Sequence, residues 1–331
     1  MTWDILGHSW AVNMLREHVA QDKLRHAYLI TGPQGIGKRT LALRLAQAIN
    51  CTQPPLPGDP CGVCANCRRL AKMQHPDLSI VQSEQIGGTL KVKQIRELQH
   101  NLSLSPYEAR YRIALLLRFE EANPSASNAL LKTLEEPGPQ VVLVLTADSP
   151  ETLMPTIVSR CEVLRLAPLP VDVAIRGMEA RWGLEPEKAR LLAHLSAGRP
   201  GAALQIYQQP ELLEQRQTWL DDHLRLLASN RVDRFAYAEI LAKDKDTLRQ
   251  ALQVWLSYWR DVMLFSTGAQ ASFINIDRID EFKRIAGLVH PTHARQAVAH
   301  LEHTLALFDT NVNTRLAVEV LLLDLPYLQN V

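Results

Sequence analysis

The sequence has no apolar run long enough to cross a bilayer. The longest, around residues 113–117 and 141–145, fall far short of the roughly 20 residues a spanning helix needs and instead suit buried parallel strands. Charge of one sign is also missing: 36 Lys+Arg against 35 Asp+Glu leave a formal net charge of +1. No global field therefore draws the molecule onto nucleic acid or membrane, and any DNA contact must be local. The opening segment, MTWDILGHSW, carries Asp4 and has no basic stretch followed by an apolar core. It does not read as a signal peptide, so a cytoplasmic chain without a membrane partner is expected. Fixed-period repeats, low-complexity tracts and long charged tails are absent as well. What remains is a globular chain of 331 residues, 47% hydrophobic, large enough for two or three domains.

Strand-like segments at 27–31, 78–82, 112–117 and 141–146 alternate with helical patterns to about residue 168, which predicts an α/β domain built on a parallel sheet. The stretch LAPLP at 166–170 breaks that pattern, and short helices follow to about residue 207, interrupted by a turn at 198–201. From Pro210 onward, leucines and tryptophans recur at helical spacing: Leu213, Leu220, Leu224 and Leu227, then Leu252, Trp255, Leu256 and Trp259, then the run 316–323. This predicts a helical bundle, with Trp219, Trp255 and Trp259 in its core.

Directly after the strand-like HAYLIT comes GPQGIGKR, in which Gly32, Gly37 and Lys38 match G-x-x-x-x-G-K with Gly35 between them. Glycines let backbone N–H groups curl round phosphates, and the following helix adds its positive end. The lysine reaches the terminal phosphate oxygens, so ATP or ADP is the implied ligand. The next position should offer a hydroxyl to Mg²⁺. Here it is Arg39, and Thr40 stands one residue later, ~100° round the helix, which argues against a bound Mg²⁺. Arg39 reads as a solvated residue; the alternative is that its charge replaces the metal. Phosphoryl transfer also needs acids at the end of a buried strand. The strand 113–117 runs instead into Arg118 and Phe119, and Glu120 and Glu121 come only afterwards, where they read as capping or surface acids.

Cys51, Cys61, Cys64 and Cys67 fall within one loop rich in proline and glycine. In a reducing compartment, such clustering points to metal before disulfide. Four thiolates leave no open coordination position, so a structural zinc is expected; an iron–sulfur cluster is the alternative. His75 is a candidate substitute ligand but reads as a loop histidine. Cys161, which stands apart, reads as a buried apolar residue.

The segments NALLKTLEEP at 128–137 and Ser159-Arg160-Cys161 resemble the hallmark motifs of the clamp-loader branch of AAA+ proteins. With GPQGIGKR, the cysteine insert and SAGRPGAAL at 196–204, the resemblance runs to about residue 205. It implies an AAA+ P-loop domain over 1–168 with a zinc insert at 51–67, a small helical lid domain over 169–208 and an all-α collar domain over 209–331. ATP-hydrolysing subunits of the gamma/tau type carry an Asp-Glu pair where this sequence has Leu117 and Arg118. They carry a sensor arginine where it has Gly201, with Arg199 two residues earlier. The delta-prime type tolerates these losses, so little or no hydrolysis is expected, within a DNA polymerase III holoenzyme. Arg160 is implied to act in trans, as an arginine finger in a neighbouring subunit's ATP site.

The implied partners are gamma/tau ATPase subunits, the delta subunit, the sliding clamp and primer-template DNA. Direct DNA contact is expected to be weak. The amphipathic segment 90–100, with Val92, Ile95 and Leu98 inward and Lys91, Lys93 and Arg96 outward, is either a solvated face or a backbone-tracking helix. Two rival functions are an active gamma/tau-type motor and a zinc-dependent nucleic-acid-binding module.

Overall fold

The computed structural model describes residues 3–85, 87–308 and 312–328. The strands β1 (Ala27–Thr31), β2 (Leu78–Val81), β3 (Arg112–Leu116), β4 (Val141–Ala147) and β5 (Glu162–Arg165) form one parallel sheet in the order β2-β3-β4-β1-β5. Every residue of β1 and β4 is buried, as expected for central strands covered on both faces. Alternate side chains serve opposite layers. Tyr28, Ile30, Val142 and Val144 pack with the helices Ser9–Ala20 and Lys38–Asn50. Ala27, Leu29, Leu143 and Leu145 pack with Val92–Leu102 and Pro124–Glu135.

β5 is absent from the sequence reading because its two ends are charged, Glu162 and Arg165, and only Leu164 is buried. It is an edge strand, paired to β1 alone. The helix expected from residue 90 begins at Val92, because Leu90 instead bridges to Ala122. β1 lies between β4 and β5, where strand order reverses. In open parallel sheets this opens a crevice at the carboxyl ends of the strands, and the loops after β1, β3 and β4 meet there.

The chain divides into two compact units, Met1–Gly177 with Arg199–Ala202, and Met178–Gly198 with Ala203–Val331. No helix among the described residues is long and apolar enough to cross a membrane. The second unit is helical, and Trp219, Trp255 and Trp259 lie in its core as the spacing predicted. Trp255 Nε1 donates to the Trp219 carbonyl at 2.8 Å, and Trp259 Nε1 donates to His223 Nε2 at 2.7 Å. Arg234 is buried in the same unit with five backbone carbonyls as partners: Leu226, Leu227, Leu322, Leu325 and Pro326. These close the ends of the helices Glu211–Ala228 and Thr314–Asp324.

His223 is fully buried, and its ring stacks on Trp255 with centroids 4.6 Å apart. Burial, reinforced by the nearby Arg234 charge, pulls its pKa down to about 3. The folded state therefore resists a proton that the unfolded chain accepts below its ordinary value of about 6.5. Stability from this group is complete above that value and falls as pH drops through it toward the folded pKa. The expected loss is about 2 kcal/mol at pH 5. The unfolding free energy from urea titration should fall between pH 7 and pH 5 by that much more in the wild type than in His223→Phe. An equal fall in both would mean that His223 titrates normally.

Candidate functional site

After β1 the chain turns through Gly32, Gly35 and Gly37, with φ of +141°, +79° and +107°, a region open mainly to glycine. Gly32 N–H donates to the Asp148 carbonyl at 3.1 Å, fixing the loop against the end of β4. The helix Lys38–Asn50 starts immediately after the loop, so its unpaired first N–H groups lie at the crevice. Lys38 Nζ donates to the Gly32 carbonyl and pairs with Asp148 at 2.6 Å. Arg39 and Thr40 are both exposed, and Arg39 Nη2 reaches Met73 Sδ at 2.8 Å. The loop has the curled backbone that a phosphate cradle needs, and its lysine already has a counter-ion in Asp148.

At the end of β3, Leu117 is buried in the core. Arg118 adopts a left-handed conformation with φ of +49° and pairs through Nε with Glu121 at 2.8 Å. Neither side chain can ligate a cation. The two following acids differ from the capping or surface role expected of them. Glu121 accepts from Gly87 N–H at 2.8 Å and from the Ser83 hydroxyl, and so staples the loop after β2. Glu120 is half-buried, and its Oε2 has no hydrogen-bond partner among the described residues. Burial raises its pKa and the Asp148 charge adds to the rise, while Lys38 opposes it. The turn at Arg118 and the short helix Phe119–Glu121 bring Glu120 into the field of the P-loop lysine. No glycine marks that turn in the sequence, so the signal was hidden.

Gly201 and Ala202 N–H groups both donate to the Gly35 carbonyl, at 2.7 and 3.2 Å, and Arg199 Nη1 reaches the Gln34 carbonyl at 3.3 Å. A Cβ at Gly201 would lie 2.8 Å from that Gly35 oxygen. The position that the resemblance gives to a sensor side chain is thus a backbone contact.

Arg160 follows the helix Pro155–Val158. Its Nη1 donates to the Thr156 carbonyl at 2.8 Å, and Nη2 pairs with Glu135 at 2.7 Å. None of these partners belongs to the glycine loop after β1. Cys161 packs on the sheet, and burial pushes its thiol up to about 12, which suits an apolar role. On the helix Val92–Leu102, Ile95 and Leu98 are buried, and Lys91, Lys93 and Arg96 are exposed at or beside it. Lys93 is paired with Glu97 at 3.8 Å.

The four insert cysteines converge, with all Sγ atoms within 4.8 Å of one another and Cys61 to Cys67 at 3.9 Å. A tetrahedral ion with metal–sulfur bonds of ~2.3 Å needs sulfurs about 3.8 Å apart. Backbone N–H groups of Cys61, Cys64 and Cys67 donate to the sulfurs of Cys51, Cys61 and Cys64 at 3.2 to 3.4 Å. Burial opposes ionisation of Cys64, but N–H groups of Cys67 and Thr52 outweigh it and pull the thiol down to about 6. Burial and the neighbouring sulfurs push Cys67 up. A cation among them relieves that conflict, so the donor set fits a metal. His75 is not part of the set: its Nδ1 accepts from Asp77 N–H at 3.1 Å and its Nε2 lies 3.5 Å from Glu108. The insert is latched to the P-loop helix by buried amides, Gln47 to the Cys67 carbonyl at 2.6 Å and Asn66 to the Asn50 carbonyl at 3.0 Å.

With this geometry in place, a model described as DNA polymerase III, delta subunit, matches residues 7–170, and its C-terminal counterpart matches residues 210–326. The DNA polymerase III subunit delta′ of Bacillus subtilis is 30% identical over 319 residues, 95% of this chain and 94% of that protein. This chain belongs to the DNA polymerase III delta-prime family. The delta′ of Pseudomonas aeruginosa is 39% identical over 187 residues, 56% of each chain. The tau subunit of Escherichia coli is 31% identical over 211 residues, 62% of this chain but 32% of tau itself. Delta-prime membership agrees with the parallel sheet and the glycine loop that follows β1.

Proposed function

We propose that this delta-prime chain is a clamp-loader subunit that hydrolyses little or no ATP itself and lends Arg160 to the ATP site of an adjacent gamma/tau-type subunit. The observation that carries the reading is the strand end after β3, where Leu117 is committed to the core and Arg118 to Glu121. Without a carboxylate there, and with Arg39 in place of a hydroxyl, the cradle would hold a nucleotide but lacks the usual ligands for Mg²⁺. Residues 169–208 would serve as the lid and 209–331 as the collar that joins the gamma/tau and delta subunits. The assembly then acts on the sliding clamp and primer-template DNA. The test is hydrolysis by a reconstituted loader carrying Arg160→Ala: a loss with assembly intact supports the reading, and unchanged hydrolysis assigns Arg160 to structure alone.

One observation favours a gamma/tau-type motor instead, the carboxylate of Glu120 in the field of Lys38 and Asp148. Turnover by the isolated chain that disappears in Lys38→Ala would establish that alternative.

In the same reading the insert holds one structural Zn²⁺ through Cys51, Cys61, Cys64 and Cys67. Metal analysis should find about one zinc per chain, and Cys64→Ser should lower that occupancy and melt the first unit about 5 °C or more earlier. Iron with visible charge-transfer absorbance would replace zinc with a cluster.

A further inference from the structure

Arg160 has a partner, Glu135, that lies within the segment 128–137 but to which the sequence reading gave no role. Glu135 closes the helix Pro124–Glu135, and its carboxylate meets Arg160 Nη2 at 2.7 Å across 25 residues of sequence. Helix polarity gives no reason for an acid there, because the carbonyl end of a helix disfavours negative charge. Stability gives little reason either: the Glu135 and Arg160 side chains are 50% and 35% exposed, and ion pairs that wet contribute little. The contact does restrict the arginine. With Nη1 on the Thr156 carbonyl at 2.8 Å and Nη2 on Glu135, the guanidinium plane is held at two points. A guanidinium carries five N–H donors; Nη1 also makes a long contact with Ser159 Oγ at 3.5 Å, and among the described residues Nε–H and one Nη2 hydrogen are uncommitted. Those donors can meet phosphoryl oxygens while the anchors remain.

We propose that Glu135 is a positioning residue for Arg160, holding the guanidinium in the orientation it offers to a neighbouring subunit's nucleotide. The inference rests on the trans-acting role of Arg160. A long side chain fixed before it docks loses less rotamer freedom on docking, and misplacement of a transition-state contact is felt in rate rather than in substrate affinity.

The test is single-turnover ATP hydrolysis by the reconstituted loader with Glu135→Ala, Glu135→Gln, Arg160→Ala and the double variant. Glu135→Ala should slow the phase belonging to the facing site about tenfold, with the ATP concentration at half-maximal rate unchanged. Glu135→Gln keeps an acceptor oxygen and should recover most of that loss. In the Arg160→Ala background, Glu135→Ala should cost nothing further, which a merely structural role would not satisfy. If Arg160→Ala is slow and Glu135→Ala is not, positioning is overturned while the finger stands. If Glu135→Ala accelerates hydrolysis, Glu135 restrains the arginine and the proposal is likewise overturned. If Arg160→Ala has no effect, the trans-acting role itself fails.

Discussion

Alanine at Arg160 should slow hydrolysis at the facing ATP site of a reconstituted loader by about 10³-fold, the lower end of the range for arginines delivered in trans. The lower end is expected because the guanidinium already shares charge with Glu135 at 2.7 Å. Lysine should not restore the rate, since a point charge cannot keep two anchors and also offer a planar fork to the phosphoryl group. The melting temperature of the isolated chain should stay within about a degree of wild type, because exposed ion pairs contribute about 0–1 kcal/mol. Single-turnover hydrolysis separates the affected phase from those of other sites. A wild-type rate in an intact assembly would leave Arg160 an architectural residue.

Methionine at Arg234 should destabilise the second unit by about 4 kcal/mol. The side chain is 5% exposed and its Nε, Nη1 and Nη2 all donate to carbonyls, those of Leu226 and Leu227 on one helix end and of Leu322, Leu325 and Pro326 on the other. Helix carboxyl ends carry partial negative charge, so one buried cation serves two of them in place of a carboxylate. Methionine keeps most of the apolar stem and removes every donor, leaving these carbonyls without the guanidinium. Urea unfolding followed by tryptophan fluorescence reads the loss, because Trp219, Trp255 and Trp259 share this core. A change below about 1 kcal/mol would mean that water satisfies the carbonyls as well as arginine does.

The strands β1 to β4, the core tryptophans and the converging cysteines were legible in the sequence because each depends on a local pattern: apolar runs, helical spacing, or ligands in one loop. β5 was not, because an edge strand with charged ends has no run to detect. Glu120 was missed for a related reason. Its position depends on a left-handed turn at Arg118, a residue type that rarely marks one. The pairings of Arg234 and Glu135 were invisible because their partners are distant in sequence, although Glu135 itself lies in the segment 128–137. Charged residues on helices ordinarily read as solvated, and only the fold shows one buried among carbonyls and the other paired with Arg160.

The contact of Gly201 and Ala202 N–H with the Gly35 carbonyl also limits which residues these positions accept. Any side chain at 201 meets that oxygen at 2.8 Å, and any side chain at 35 meets the Ala202 backbone at the same distance. Neither glycine can be replaced without a shift of the facing backbone. The two positions therefore constrain each other: a side chain at either one has to displace the backbone that faces it.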